Sequence, residues 1–392
     1  MNKTELPNGI VVHGDSLEVV SKLKDNSIDC VITSPPYFHL RDYGYDGQWG
    51  LESDYNEYLD NLINLMREIK RVLKSTGTIW INLGDTYVGS KSGNGNPKMN
   101  SNVCDTQSKI NKKVKNMPNK SLMMIPHRFA IRCVDELGLI LRNDIIWASK
   151  NKMPEPATDR FSKKKEYIFF FTKSTKYYFD LDGIRDIPIT GTNRKDIIKS
   201  KTSGSLTAKK SGREKEFDAN GFIEMKNNPM GKNPGDVSDF WDINTKPSKI
   251  KHYASYPDTL VTKPLIAGCP SEVCTICGVP VVTKIKTKSV ATRPNNSSIY
   301  DDSTDEVYTR SESLKERRVP VEVGVETTKC KCHAPTKPGI VLDPFAGSGT
   351  TAVSAINNNR TYMMIDASEE YYNIMVDRLR DIENSIVINT ID

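Results

Sequence analysis

The sequence predicts an α/β fold, an open and mostly parallel sheet that holds its ligand along the carboxyl edge. Three observations predict it. The apolar, β-branched run Ile28-Asp29-Cys30-Val31-Ile32-Thr33 stops dead at Ser34-Pro35-Pro36-Tyr37, which reads as a buried strand bounded by prolines. Val341-Leu342-Asp343-Pro344-Phe345-Ala346-Gly347-Ser348-Gly349-Thr350-Thr351 reads as a second strand, a glycine-rich turn and the start of a helix through Ala352, Val353 and Ala355. Arg360 to Ile365 reads as the next strand, and Asp366 ends it, 17 residues after Gly349.

The remaining elements follow from periodicity. Tyr58, Leu62, Leu65, Met66, Ile69, Val72 and Leu73 recur at helical spacing, so a helix before Gly77 packs its stripe on the sheet. A second helix is expected from about Pro126 to Leu137, followed by strands at 139–147 and 166–172. Residues 184–250 are polar and rich in Gly, Asn and Lys, and residues 252–268 lead back to the core. No internal repeat is apparent.

The two strand ends carry the chemistry. Consecutive prolines fix φ and remove two backbone donors, so the carbonyls after the first strand are expected to be free. Free carbonyls beside the Tyr37 ring suit a planar group bearing an NH2, such as adenine or cytosine. At the other strand end, an acid at Asp366 can take both hydroxyls of a ribose. No Gly-Lys-Ser/Thr follows the glycines, and the third glycine of the dinucleotide fingerprint is absent. A ribose-bearing ligand without a pyrophosphate fits better, and S-adenosylmethionine is the common one.

Together these segments resemble the DNA amino-methyltransferases of the circularly permuted β class, in which the catalytic segment precedes the cofactor segment. Ser34-Pro35-Pro36-Tyr37 is similar to the family's catalytic motif, and Asp343 to Thr351 to its S-adenosylmethionine motif. Asp366 matches the ribose-binding acid, more often Glu in the family, and Asp15 of Gly14-Asp15-Ser16-Leu17 matches an adenine contact. His252-Tyr253-Ala254-Ser255-Tyr256-Pro257, Gly77 to Asn82, Leu141 to Trp147 and Asp159-Arg160 through Ile168 match further core segments.

The resemblance implies an S-adenosylmethionine-dependent methyltransferase (Rossmann-like) fold in three parts. Residues 1–183 form the catalytic part with a mobile basic loop at 88–120. Residues 184–250 recognise the target, and 251–392 form the cofactor part with a zinc insertion at 269–333. It implies a catalytic Ser34, Pro35, Pro36 and Tyr37. The implied cofactor-binding set is Asp15, Asp343, Pro344, Phe345, Gly347, Gly349, Thr350, Thr351 and Asp366. Ser34 and the Pro35 carbonyl would hold the target amine while Tyr37 stacks on a base swung out of the duplex. A serine opening the motif favours cytosine N4 in this family, whereas Asp or Asn favours adenine N6. C5 methylation is disfavoured because no Pro-Cys occurs.

Charge and cysteines complete the reading. The net charge of +6 is modest, but residues 91–120 hold seven lysines against one acid, and 194–215 eight basic side chains against two acids. Both stretches are poor in large apolar residues and read as mobile loops. On an enzyme of this type they favour phosphate contact, with Lys112, Lys113, Lys115, Lys209, Lys210 and Arg213 as the candidates. Double-stranded DNA is the expected partner, with a cognate restriction endonuclease and a second copy of the chain as further candidates.

No apolar run approaches the ~20 residues of a membrane span, and the first residues lack a signal-peptide core. A cytoplasmic, reducing location is therefore expected, with the eight cysteines as thiols or metal ligands. Cys274-Thr275-Ile276-Cys277-Gly278 and Cys330-Lys331-Cys332 can close a tetrahedral zinc site across the 278–329 insertion, with Cys269 and His333 as alternative ligands. Cys30, Cys104 and Cys133 read as structural. Two other classes compete with DNA amino-methylation. A methyltransferase for RNA or small molecules is opposed by the long basic loops. A non-enzymatic zinc-containing DNA-binding protein would need neither the catalytic nor the cofactor segment.

Overall fold

The computed structural model describes residues 2–89, 114, 117–152, 155, 157–184, 195–196, 216–217, 223–224, 238–245, 256–292 and 317–389. Lys112, Lys113, Lys115, Lys209, Lys210, Arg213, Cys104 and His252 to Ser255 lie outside them, as does most of 184–250. Two compact units are distinguished: residues 1–185, 234–280 and 330–392, and residues 186–233 and 281–329.

In the first unit the chain runs β1 (Asn2–Leu6), β2 (Gly9–His13), α1 (Ser16–Ser21), β3 (Ile28–Thr33), α2 (Tyr55–Val72), β4 (Leu73–Leu83), α3 (Ile125–Asp135), β5 (Ile140–Ala148) and β6 (Lys165–Thr172). The second unit holds three two-residue strands, β7 (Lys195–Asp196), β8 (Glu216–Phe217) and β9 (Ile223–Glu224), that pair in the order β7-β9-β8. The first unit resumes with β10 (Phe240–Asp242), α4 (Asp258–Gly268) and β11 (Val273–Cys274). The second holds an antiparallel hairpin, β12 (Val282–Thr292) with β13 (Arg317–Thr328). The first ends with β14 (Thr336–Lys337), β15 (Ile340–Asp343), α5 (Thr350–Asn357), β16 (Thr361–Asp366) and α6 (Glu369–Asn389).

Nine of these strands form one sheet in the order β1-β2-β16-β15-β3-β4-β6-β5-β10. The five from β2 to β4 are mutually parallel, and β6 runs against them. The late strands β15 and β16 thus sit between the early strands β2 and β3. The expected α/β sheet is therefore present, parallel from β2 to β4 and antiparallel at β1 and β6, with both chemical segments at one edge.

Alternation along the strands builds three layers. Val31, Ile79, Ile81, Phe169 and Phe171 face one way and join the buried stripes of α2 and α3. Cys30, Ile32, Trp80, Ile168 and Phe170 face the other way and join α4, α5 and α6. A strand buried on both faces reads as a continuous apolar run, which is why 28–33 and 166–172 stood out. The helical stripe from Tyr58 to Val72 is buried along α2, as its spacing predicts. The strand after it starts earlier than Gly77, because Leu73 already pairs with Ile28. Among the described residues no helix is long and apolar enough to cross a membrane.

Candidate active site

The ends of β3, β4, β15 and β16 open into a cavity of about 470 Å³. That volume suits a nucleoside-sized ligand, and carboxyl ends of parallel strands are where open α/β sheets hold ligands. The glycine turn and the Ser-Pro-Pro-Tyr segment, 310 residues apart in the chain, both line it. So do Asp366 at the end of β16, Ala367 and Tyr371 beyond it, and Arg41, Tyr43 and Tyr45 from the loop after Tyr37.

At the glycine-turn end, Asp366 is 8% exposed on the cavity wall. One of its oxygens accepts from Gly347 N at 2.7 Å and the other from Ser368 N at 2.9 Å. Burial pushes this carboxyl up from its ordinary 3.8 to about 6, against those two N–H donors. Gly349 has φ +79° and begins α5, and a Cβ there would lie 2.8 Å from Met375 Cγ. The turn is therefore restricted to glycine by both conformation and space.

The structure divides the predicted cofactor set. Phe345, Gly347, Thr350 and Asp366 line the cavity, whereas Asp15, Asp343, Pro344, Gly349 and Thr351 do not. Asp15 caps α1, accepting from Glu18 N at 2.9 Å. The Pro344 carbonyl accepts from the Ser16 hydroxyl. Asp343 is fully buried and accepts from Thr33 Oγ1 and Thr351 Oγ1, both at 2.6 Å, from Tyr256 Oη at 3.0 Å and from Phe345 N at 3.1 Å. It ties together β3, α5 and the segment before α4, with its oxygens turned inward. An acid at the end of a strand can serve either ligand or scaffold, and in this structure four donors give Asp343 the contacts of a scaffold residue.

At the other end, Tyr37 is held from several sides. Its hydroxyl donates to Glu166 Oε2 at 2.5 Å and accepts from Asn82 Nδ2 at 2.9 Å. Ser34 Oγ is 3.5 Å from the same hydroxyl. Lys152 Nζ completes the group 2.5 Å from Glu166 Oε1, and its ammonium stands over the Trp147 ring. Burial and the neighbouring Glu166 carboxylate push the Tyr37 phenol upward, so it stays protonated at neutral pH. The expectation of free carbonyls holds only in part. The Pro36 carbonyl accepts from Tyr58 Oη at 2.7 Å, because α2 packs its buried tyrosine under the motif.

Register explains how Glu166 arrives. Asn82 pairs with Ile168 across β4 and β6. Because β6 runs backward, its first residues emerge where the parallel strands end, and Glu166 lies opposite Trp147. Gly84 follows β4, and a Cβ there would come within 2.5 Å of Tyr37 Cε2. The tyrosine ring rests on bare backbone. The sequence reading missed Asn82, Gly84, Lys152, Glu166 and Tyr256 as site residues. Asn82, Glu166 and Tyr256 lay in segments singled out for resemblance, but their roles depend on pairings across the sheet.

Away from the cavity, Cys274, Cys277, Cys330 and Cys332 bring their four Sγ atoms within 4.8 Å of one another. Pairing of β11 with β14 and the turn closed by Gly278 N to Cys274 O assemble them. Sulfurs around a tetrahedral zinc with Zn–S of ~2.3 Å lie about 3.8 Å apart, so small movements would seat an ion. Cys269 is not among them. It is fully buried near Cys30, and its carbonyl accepts from Arg360. His333 is likewise outside the group. Cys30 and Cys133 are buried core residues, as expected.

A family model described as DNA methylase matches residues 28–377. The chain is 28% identical over 384 residues to Type II methyltransferase M.Cfr9I of Citrobacter freundii, covering 98% of this chain and 91% of that one. It is 29% identical over the same length to Type II methyltransferase M.XycI of Xanthomonas campestris pv. cyanopsidis, with the same coverage. Among solved structures, the PvuII DNA methyltransferase (cytosine-N4-specific) superposes with a TM-score of 0.50 at 16% identity. That likeness covers 97% of this chain and 92% of the other. With a family match over most of its length, the chain belongs to the DNA methylase family.

Proposed function

We propose that the protein is a Type II modification enzyme that moves a methyl group from S-adenosylmethionine to N4 of a cytosine swung out of double-stranded DNA. The observation that carries this reading is a single cavity with two chemically different ends. Asp366 and Gly347 stand at one, and Ser34, Tyr37 and Asn82 at the other.

The first end fits S-adenosylmethionine. Asp366, fixed by two backbone donors, keeps acceptor capacity for ribose hydroxyls. Phe345, Tyr43 and Tyr371 offer ring surfaces for adenine. The cofactor supplies a methyl activated by its sulfonium. At the second end the Ser34 hydroxyl and Pro35 carbonyl would accept from the target NH2 and turn its lone pair toward that methyl. Tyr37 would stack on the base. Most of the acceleration is then orientation and electrostatics. Serine rather than Asp or Asn at position 34 favours cytosine. The order of the two segments in the chain supports the permuted arrangement, with 184–250 as the recognition segment. A pure DNA binder needs neither end.

The four clustered cysteines suit one structural zinc, which would tie 274–277 to 330–332 with no role in methyl transfer. About one zinc per chain is expected in freshly purified, reduced protein, and elemental analysis showing none refutes the site. The function is tested by nucleoside mass spectrometry of host DNA with and without the gene, joined to modification-sensitive sequencing that locates the target. N4-methylcytosine is expected. N6-methyladenine alone would change the base and keep the reaction, whereas no methylated base on any DNA would refute the reading.

A further inference from the structure

The hydrogen bonds around Tyr37 have a direction, and it determines what the base end of the cavity accepts. Lys152 has only donors, so Glu166 beside it is an acceptor. Tyr37 must then donate its one hydroxyl proton to Glu166, at 2.5 Å. With that proton used, the phenol oxygen can only accept from its other neighbours. The group 2.9 Å away on Asn82 is therefore the NH2, and the amide's orientation is settled. Asn82 is 6% exposed and lines the cavity, and its Oδ1, covered by its neighbours, has no hydrogen-bond partner among the described residues. A buried acceptor without a donor is unfavourable until something supplies one. Ser34 is polarised the same way: its hydroxyl points to Tyr37 Oη, leaving its lone pairs free.

We propose that Asn82 Oδ1, uncovered as the base enters, contacts the substrate, sharing with the Pro35 carbonyl the amine hydrogen that Ser34 does not take, and that the Glu166–Lys152 pair sets this polarity through Tyr37. The inference rests on the amino-methyltransferase reading and deepens it. Acceptors grouped around one nitrogen select a base with an exocyclic NH2 and reject one with a carbonyl in its place, because oxygens would then face an oxygen. Asn82 acts on the substrate directly, whereas Glu166 and Lys152 are positioning residues.

The Glu166→Gln substitution separates this from a merely structural role. Lys152 would hold the new amide oxygen, so the new NH2 would face Tyr37. Tyr37 would then donate to Asn82, turning the Asn82 NH2 toward the base. The site should change from accepting to donating with little change in shape.

The experiment measures binding of duplexes that carry the mapped target. The target base is placed opposite an abasic site, so pairing restrains neither version. It is either the amine base or its carbonyl counterpart: uracil for cytosine, hypoxanthine for adenine. Wild-type protein should prefer the amine duplex by about tenfold or more, the ratio of one to two hydrogen bonds. Asn82→Ala should lose most of the preference, and Glu166→Gln should reverse or abolish it. Cofactor affinity should stay unchanged in both variants, which reports that the other end is intact. A preference retained in both variants overturns the inference. If wild-type protein methylates no DNA, the functional reading fails instead, so the two failures are distinguishable.

Discussion

The two ends of the cavity are built in opposite ways. The end proposed for the cofactor, the donor end, is nearly contiguous: Phe345, Gly347, Thr350 and Asp366 lie within 22 residues, and backbone N–H groups hold the one carboxylate in place. The end proposed for the target base, the acceptor end, draws Ser34, Tyr37, Asn82, Lys152 and Glu166 from positions up to 132 residues apart, and side chains hold side chains. Backbone-held groups tolerate change around them, because their donors belong to the fold. Side-chain networks fail together, since each member orients the next. Variants at the two ends should therefore fail differently.

The largest effect on stability is expected where the two ends are joined. Asp343→Ala removes a fully buried acceptor from four donors, Thr33, Phe345, Thr351 and Tyr256, of which only Thr351 and Tyr256 keep a bond, to each other at 2.7 Å. Loss of about 3–5 kcal/mol is expected, since breaking a buried charged network leaves its partners unpaired. A urea midpoint that barely moves would show that Asp343 is not the tie between the ends, and would return it to the ligand-facing set.

A functional rather than structural loss is expected from Gly84→Ala. Its Cβ would lie 2.5 Å from Tyr37 Cε2 and push the ring off its seat. Displacement by about 1 Å at a reacting centre costs on the order of 100-fold in rate. Methyl transfer should fall by about that factor while S-adenosylmethionine affinity in calorimetry is unchanged. Equal loss of affinity would mean that the two ends are mechanically coupled.

The same contrast explains what could be read from the sequence. Ile28 to Tyr37 and Val341 to Asp366 were legible because each is a strand, a turn and a chemical group in one short run. The α2 stripe was legible because burial imposes a helical period. Glu166 was not legible as a site residue, because it reaches Tyr37 only through the reversed direction of β6 and its register against β4. Gly84 carries no side-chain signal at all. Asp343 was legible as important, but its four buried contacts were not, since a motif records a residue and not which way its oxygens turn.

The smallest effect, and the most specific to the donor end, is in pH. Asp366 titrates near 6 because burial disfavours its charge. The folded state holds this proton more tightly than the unfolded chain. Its contribution to stability is therefore favourable below 3.8 and lost as pH rises through about 6. Cofactor binding runs the other way, because ribose hydroxyls need an ionised acceptor. Affinity for S-adenosylmethionine should be flat above about pH 7 and fall about tenfold by about pH 5, following one proton. Asp366→Asn should flatten this profile and weaken binding at pH 7 by about 10- to 100-fold, since a charge-assisted acceptor becomes a neutral one. Tyr37→Phe, at the other end, should leave the profile in place. A profile that persists in Asp366→Asn would assign the proton to another group and remove Asp366 from the ribose contact.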